Sequence, residues 1–360
     1  MPVTFHAPGR ANLIGEHTDH TDGLVLPAAI DRGVTLVADL GGERIALTSD
    51  AVDEVVDVAA DGSEMPAGGF GRFVAAVAAE LHELGRAPVG LTGTLSSDLP
   101  QGAGLSSSAA LEVVVALALC EAAEIELAPM ELAALCRRAE HRAVGVPSGI
   151  MDQAASILGQ ADHAVLLDCA TLEHETVPLP AGHGLLIMDT GVRRQLESSG
   201  YAQRTEELRA ALPVLAGRRP AEIDPEELPA LLAQLEAVPA RRLRHVVTEN
   251  VRVRATVTAF AADDRSRVGE LFAAGHASLR DDFEVSVPEL DAMVELAVDA
   301  GATAARMTGG GFGGAAIALV VDEELAEVAE VVEARYRERF PDRTPALYRC
   351  VAAAGAGRRD

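Results

Sequence analysis

Lysine is missing from this chain altogether, so all 30 basic residues are arginine. A Walker A phosphate loop and lysine Schiff-base chemistry are thereby excluded. Tryptophan is missing too, and aromatic residues fill only 3% of the 360 positions. Little is left for a base-stacking surface or an aromatic cage. The four cysteines, Cys120, Cys136, Cys169 and Cys350, are widely scattered. They have neither metal-ligand spacing nor the density of a disulfide scaffold, and read as small core residues in a reducing cytoplasm. The opening MPVTFHAPGR lacks the charged end and apolar stretch of a signal peptide. The long Ala/Val/Leu runs carry Glu or Arg at helical intervals, as buried helices do and membrane spans do not. Positive charge is in short supply: 55 acids against 30 bases give a formal charge of −25. Such a surface repels nucleic acid and anionic lipid, so neither is expected as a partner. An anionic ligand needs a local pocket of its own.

What the chain does have is core-forming material, with 49% hydrophobic residues in a length that suits one large domain or two ordinary ones. GVTLVADL and PVGLTGTL read as strands, and GFGRFVAAVAAELHELG between them as a helix with a terminal glycine. Helices are expected from Ala109 to about Glu124 and from Met130 to about Val144. HAVLLD and HGLLIMDT read as strands separated by an acidic, polar turn region, and Pro178–Gly184 as the crossing point between two domains. Helical YAQRTEELRAAL, short proline-marked helices, FAAGHASLRDDF and PELDAMVELAVDAG follow. They lead to the glycine cluster MTGGGFGG and the strand AAIALVV, and the terminal AAAGAGRRD is expected to fray. The pattern is mixed α+β without the regular alternation of a doubly wound fold.

Four stretches carry chemistry. In QGAGLSSSAA, Gly102 and Gly104 permit tight backbone geometry and the serines can cap a helix beginning near Ser107. The first turn of that helix could equally hold phosphate on its free N–H groups, with Ser108 offering a hydroxyl to Mg²⁺. Glycines and serines alone leave both readings open. GRANLIGEHTDH gathers Arg10, Glu16, His17 and Asp19 around apolar Leu13 and Ile14. This is either a plain surface loop or a set of acceptors for a polyhydroxylated ligand such as a sugar. GIMDQ offers Asp152, which could simply cap a helix, and Glu140 in RRAEHRAVG would by default be a solvated acid. MTGGGFGG could be tight packing between a helix and a strand.

Taken together and in this order, these stretches resemble the galactokinase branch of the GHMP small-molecule kinases, a family that includes homoserine, mevalonate and phosphomevalonate kinases. HVVTENVRV (245–253) and SLRDDFEVSVPELD (278–291) extend a likeness that runs from about Pro8 to Val320. The resemblance implies two mixed α/β domains, 1–178 with the phosphate loop and 179–355 with a ferredoxin-like arrangement, and an active site in the cleft between them. It also implies ATP-dependent phosphorylation of α-D-galactose at C1 with Mg²⁺. On that likeness Asp152 would take the proton of the anomeric hydroxyl, and Arg10 would offset charge on the transferring phosphoryl group. Glu16, His17, Asp19, Gly149, Asp152 and Tyr201 would hold the sugar. Gly102, Ala103, Gly104, Leu105, Ser106, Ser107 and Ser108 would cradle the diphosphate, and Ser108 and Glu140 would serve the metal.

Three positions depart from the family pattern, one of them Thr21, where asparagine is common. His20 stands where tyrosine is usual, beside the sugar residues, and Gly200 precedes Tyr201 where glutamate is common. A neutral imidazole keeps a hydrogen bond but not the phenol's reach. The alternatives are another sugar 1-kinase, acting on arabinose or N-acetylgalactosamine, or a non-catalytic sensor of galactose and ATP. Retention of LSSSAA, Glu140 and Asp152 favours a catalyst. A monomer or weak homo-oligomer in the cytoplasm is expected.

Overall fold

The computed structural model describes residues 1–100, 104–145, 148–192 and 197–359. The first half runs β1 (Val3–Asn12), β2 (Leu24–Val25), β3 (Pro27–Leu40), β4 (Arg44–Ser49), β5 (Val55–Ala59), α1 (Gly71–Glu83) and β6 (Leu91–Ser97). Then come α2 (Ser107–Ala122), α3 (Pro129–Val144), α4 (Met151–Leu158), β7 (His163–Asp168), β8 (His174–Pro178) and β9 (His183–Asp189). The second half runs α5 (Glu197–Arg209), α6 (Leu228–Leu232), α7 (Ala237–Ala261), α8 (Arg265–Asp281) and α9 (Pro288–Asp299). It ends with β10 (Ala304–Thr308), β11 (Ala315–Val321), α10 (Leu325–Arg339), β12 (Ala346–Cys350) and β13 (Gly357–Arg359).

Among the described residues the strands form a six-stranded sheet (β13-β1-β3-β6-β4-β5), an antiparallel four-stranded sheet (β10-β11-β9-β12) and a small sheet (β2-β7-β8). Helix α2 is apolar on nearly every face and lies buried against β1 and β3, with Val113, Val114, Val115 and Leu119 fully enclosed. Each such side chain stabilises the fold by about 1.5–3 kcal/mol relative to exposure. Helix α3 starts at Pro129, whose missing N–H would be unpaired there anyway, and stops at Gly145 in the left-handed region. A second apolar core gathers around β9, β10 and β11, with Phe283, Met293 and Tyr336 buried in it.

Two readings of the sequence need correction. The region between HAVLLD and HGLLIMDT is not only turn: it contains β8, an edge strand on which Val177 alone is buried. One inward residue leaves no alternation to read. The terminal segment does not fray either. Val351 N donates to Asp31, Ala353 N to the Ala29 carbonyl, Gly355 N to the Gly159 carbonyl and Ala356 N to the Ser156 carbonyl, before β13 pairs with β1. The small residues of AAAGAG let two backbones meet: a Cβ at Gly355 would collide with the Ile157 carbonyl. The chain thus returns from the second half to pin β1 and the end of α4.

Helix α7 has the opposite partner, the loop between β1 and β2. Glu249 accepts from Gly15 N at 3.0 Å, Asn250 from Leu24 N at 2.7 Å, and the His245 ring meets the Glu16 carbonyl at 3.1 Å. The HVVTENVRV stretch is therefore the clamp on GRANLIGEHTDH. No helix of the described residues is long and apolar enough to cross a membrane.

Candidate active site

The site begins where β1 meets the loop before α2. Arg10 projects from β1, its own N–H bonded to the Leu105 carbonyl. Its guanidinium donates from Nε to Asp152 Oδ1 at 2.9 Å and from Nη1 to the Gly104 carbonyl at 2.6 Å. Asp152 sits in the first turn of α4, where the helix dipole favours a carboxylate. Its other oxygen, Oδ2, accepts from Ser106 Oγ at 2.5 Å. The expected serine cap is corrected here. Ser106 does occupy the N-cap position of α2, but in the left-handed region at φ 58°, and its hydroxyl makes no bond to the helix. It is turned across to Asp152, so the free N–H groups of α2 remain available to a ligand.

Next to this pair lies a cavity of about 210 Å³, smaller than a drug-sized pocket and suited to a small polar molecule. Arg10, Glu16, His17, Asp19, Asp152 and Tyr201 line it, joined by Gly149, Gly309 and Gly310. All the residues expected to hold the sugar therefore meet in one place, and the second glycine turn reaches it too. Gly149 has a steric reason to be glycine: a Cβ there would overlap the Asp19 carboxylate.

Burial sets the charges of the lining. It pushes Asp19 up from the usual carboxylate range, with Asp152 adding to the rise and His20 opposing it. It drives His17 well below an ordinary histidine and lowers His20, so both imidazoles are neutral near pH 7. The His17 ring is wedged between Phe283 (centroids 4.5 Å apart) and Tyr201 (5.6 Å). His20 meets Tyr201 edge-on at 5.8 Å, and neither of its buried ring nitrogens has a hydrogen-bond partner among the described residues. Burial, helped by Asp19, Asp152 and Glu140, keeps the Tyr201 phenol protonated.

Glu140, on α3, accepts from Ser108 Oγ at 3.2 Å, Ser148 Oγ at 2.5 Å and Gln153 Nε2 at 3.2 Å. Gln153 also donates to buried Glu112 at 3.0 Å, whose carboxyl burial raises to about 9. Ser108 and Glu140 thus converge as hard oxygen donors beside the start of α2. Two protein oxygens with room for waters and phosphate oxygens fit Mg²⁺. Beyond Ser107 and Ser108 opens a more apolar cleft of about 390 Å³, walled by Val52, Phe70, Phe73, Leu95 and Leu111. Of the expected phosphate-loop residues, Ser107 and Ser108 line the apolar cleft, and Gly104, Leu105 and Ser106 bond to Arg10 or Asp152, whereas Gly102 and Ala103 lie outside the described residues.

Several site residues were not singled out in the sequence. Arg306 is fully buried, with Nη2 at 2.5 Å from Glu16 Oε2 and 2.8 Å from Glu249 Oε1. Phe283 backs His17, and Gln153 and Glu112 back Glu140. Gln153 adjoins Asp152 in GIMDQ and Arg306 adjoins MTGGGFGG, so position next to a motif was the available signal.

Several known proteins are similar to this chain. The galactokinase galactose-binding signature matches residues 1–40, the GHMP kinases N terminal domain residues 72–160, and the GHMP kinases C terminal residues 256–341. The crystal structure of Lactococcus lactis galactokinase complexed with galactose superposes with a TM-score of 0.94 at 34% identity, covering 99% of this chain and 95% of that one. Methanococcus jannaschii mevalonate kinase is similar in fold, with a TM-score of 0.70 at 18% identity over 98% of each chain. So is homoserine kinase from Cytophaga hutchinsonii, with a TM-score of 0.62 at 18% identity over 99% of this chain and 97% of that one.

Proposed function

The chain belongs to the galactokinase family of the GHMP kinases, and from that premise we propose that it transfers the γ-phosphoryl group of ATP to the C1 hydroxyl of α-D-galactose. The observation that carries this reading is the Arg10–Asp152–Ser106 constellation at the junction of the sugar-sized cavity and the N-terminus of α2. The C1 oxygen attacks the γ-phosphorus, the bond from that phosphorus to the β,γ-bridging oxygen breaks, and the hydroxyl proton passes to Asp152. Each carboxylate oxygen has two lone pairs, so Asp152 can accept the sugar hydroxyl while keeping Arg10 and Ser106. Phosphoryl transfer depends mainly on positioning and electrostatics. Arg10 therefore acts twice, orienting Asp152 and offsetting charge on the transferring group.

Glu16, neutral His17, Asp19, Tyr201 and the Gly149 backbone would take the remaining sugar hydroxyls, each of which needs a partner on leaving water. The diphosphate would lie on the start of α2, and the apolar cleft beside Phe70 and Phe73 would take the adenine. Ser108 and Glu140 would hold Mg²⁺, which when bound neutralises phosphate charge. The division into domains 1–178 and 179–355 belongs to the same proposal, with β13 reaching back across it. So does a cytoplasmic enzyme, monomeric or weakly self-associating, whose partners are small molecules.

ADP production with Mg-ATP tests the reading on galactose, glucose, arabinose, N-acetylgalactosamine and 2-deoxygalactose, beside an Asp152→Asn protein. Preferred turnover of galactose, lost in the variant, is the expected result. Preference for another sugar would keep the machinery and move the substrate to the His20 neighbourhood. Tight binding of galactose and ATP without turnover would sink the kinase reading in favour of a sensor.

A further inference from the structure

Glu16 is the one cavity carboxylate whose charge partner comes from the far half of the chain. Three groups face it: Arg306 from β10, Glu249 from α7 and Arg10 from β1. His245, also from α7, meets its carbonyl and is held neutral, burial lowering it to about 4. Arg306 is shared between Glu16 and Glu249, but the two acids are not equal. Glu249 also receives Arg252 Nε at 2.6 Å and the Gly15 N–H, and against burial the charges of Arg306 and Arg252 carry it far below the usual range. Among the described residues Glu16 has no ion pair besides that with Arg306, Arg10 acting only from farther away. Burial raises it to about 7, against the pull of Arg306.

The rest of the pocket is shaped around that guanidinium. Its ring neighbour is Phe272, with Arg306 Cζ 6.0 Å from the centroid, and α8 passes at Gly275, where a Cβ would crowd Nη1. A cation so enclosed has no water to turn toward, so its direction is set by the two carboxylates, and theirs by it.

We propose that Arg306 is a positioning residue for sugar recognition: it aims the Glu16 carboxylate into the cavity and keeps it ionised as an acceptor for a substrate hydroxyl. The proposal rests on the reading of that cavity as the sugar site. Arg306 touches neither substrate nor Asp152, so its loss acts on sugar binding and leaves the transfer step in place.

The test is the pH dependence of the galactose KM, with kcat measured alongside. In the wild type, KM falls as pH rises through about 7, the range in which Glu16 ionises. In Arg306→Met the inflection moves upward by about one pH unit or more, and KM at neutral pH rises about tenfold or more, while kcat at saturating sugar changes little. Arg306→Lys restores the inflection toward its wild-type position. Where Arg306→Met fails to fold, the Lys variant is combined with Glu16→Gln. The Lys exchange then raises KM in the native background and has no further effect once Glu16 is gone. An unmoved inflection in Arg306→Met, an equal effect of Arg306→Lys in both backgrounds, or a fall in kcat at constant KM would overturn the inference alone. A wild type that phosphorylates no sugar overturns the functional reading, and this inference with it.

Discussion

The molecule holds two acid–arginine centres that share one cavity and differ in almost everything else. At Arg10–Asp152 the arginine side chain is 7% exposed and the carboxylate 29%, and the partners that complete the set are a serine hydroxyl and a carbonyl. At Arg306, Glu16 and Glu249 no side chain is more than 1% exposed, and the set is completed by a second arginine, Arg252. A carboxylate left partly open can exchange one hydrogen-bond partner for a substrate hydroxyl without stranding a charge. In the sealed set Glu16 has room to add a hydroxyl from the cavity but not to give up Arg306, because losing that partner leaves an uncompensated ion in a medium of low dielectric. On the proposed function, one centre is the place of reaction and the other holds still.

Substitutions at matching positions should separate the two. Asp152→Asn should cost about 10²–10⁴-fold in turnover, the range for removing a general base, and leave the thermal midpoint nearly unchanged. Arg306→Met should do the reverse, lowering stability by about 3–5 kcal/mol in urea titration while kcat at saturating sugar survives. A variant in which both properties fell together would erase the distinction. Ser106→Ala removes a hydrogen bond to a charged group and should lower kcat about tenfold or more. Ser106→Gly, free of strain at φ 58°, should be no more active, since the loss comes from the hydroxyl and not the backbone.

Glu112 sharpens the comparison from the stability side, since it is buried without a cation among the described residues. Its carboxyl ionises at about 9 in the folded chain against an ordinary value of 4.5. Between those values the folded state holds a proton that the unfolded state has lost, so stability falls as pH rises across that window. Glu112→Gln should therefore match the wild type in thermal midpoint near pH 5 and exceed it increasingly toward pH 9. The smallest effect belongs to Arg358, which pairs with Glu121 at 2.5 Å on the surface while 55% exposed. Arg358→Ala should cost no more than about 1 kcal/mol, and less still in high salt.

The contrast also marks what could be read in advance. The open centre was legible because its members lie in contiguous stretches whose residue types already look chemical, GRANLIGEHTDH and GIMDQ, and whose likeness to a known family could be quoted residue by residue. Of the sealed centre only Glu16 was, since it lies in GRANLIGEHTDH. Arg306 follows two alanines in a strand and Glu249 lies mid-helix; nothing local distinguishes either from an ordinary surface charge, and 57 residues separate them. The terminal AAAGAGRRD looked frayed for a related reason. Its tie to β1 is made by backbone groups, which every sequence possesses, and by side chains small enough to leave no signal.

The sequence by itself therefore determined most of the elements, the helix after the glycine-serine stretch, the family and most of the residues that line the cavity. The elements follow from periodicity and turn chemistry, which act within a few residues, and the family and the lining residues from the likeness of contiguous motifs to a known family. Only the tertiary structure decided that Ser106 serves Asp152 rather than its own helix, that α7 clamps the sugar loop, and that Arg306 lies between Glu16 and Glu249. Those outcomes depend on which distant groups share the same dry volume. Burial and charge pairing act through space and not along the chain.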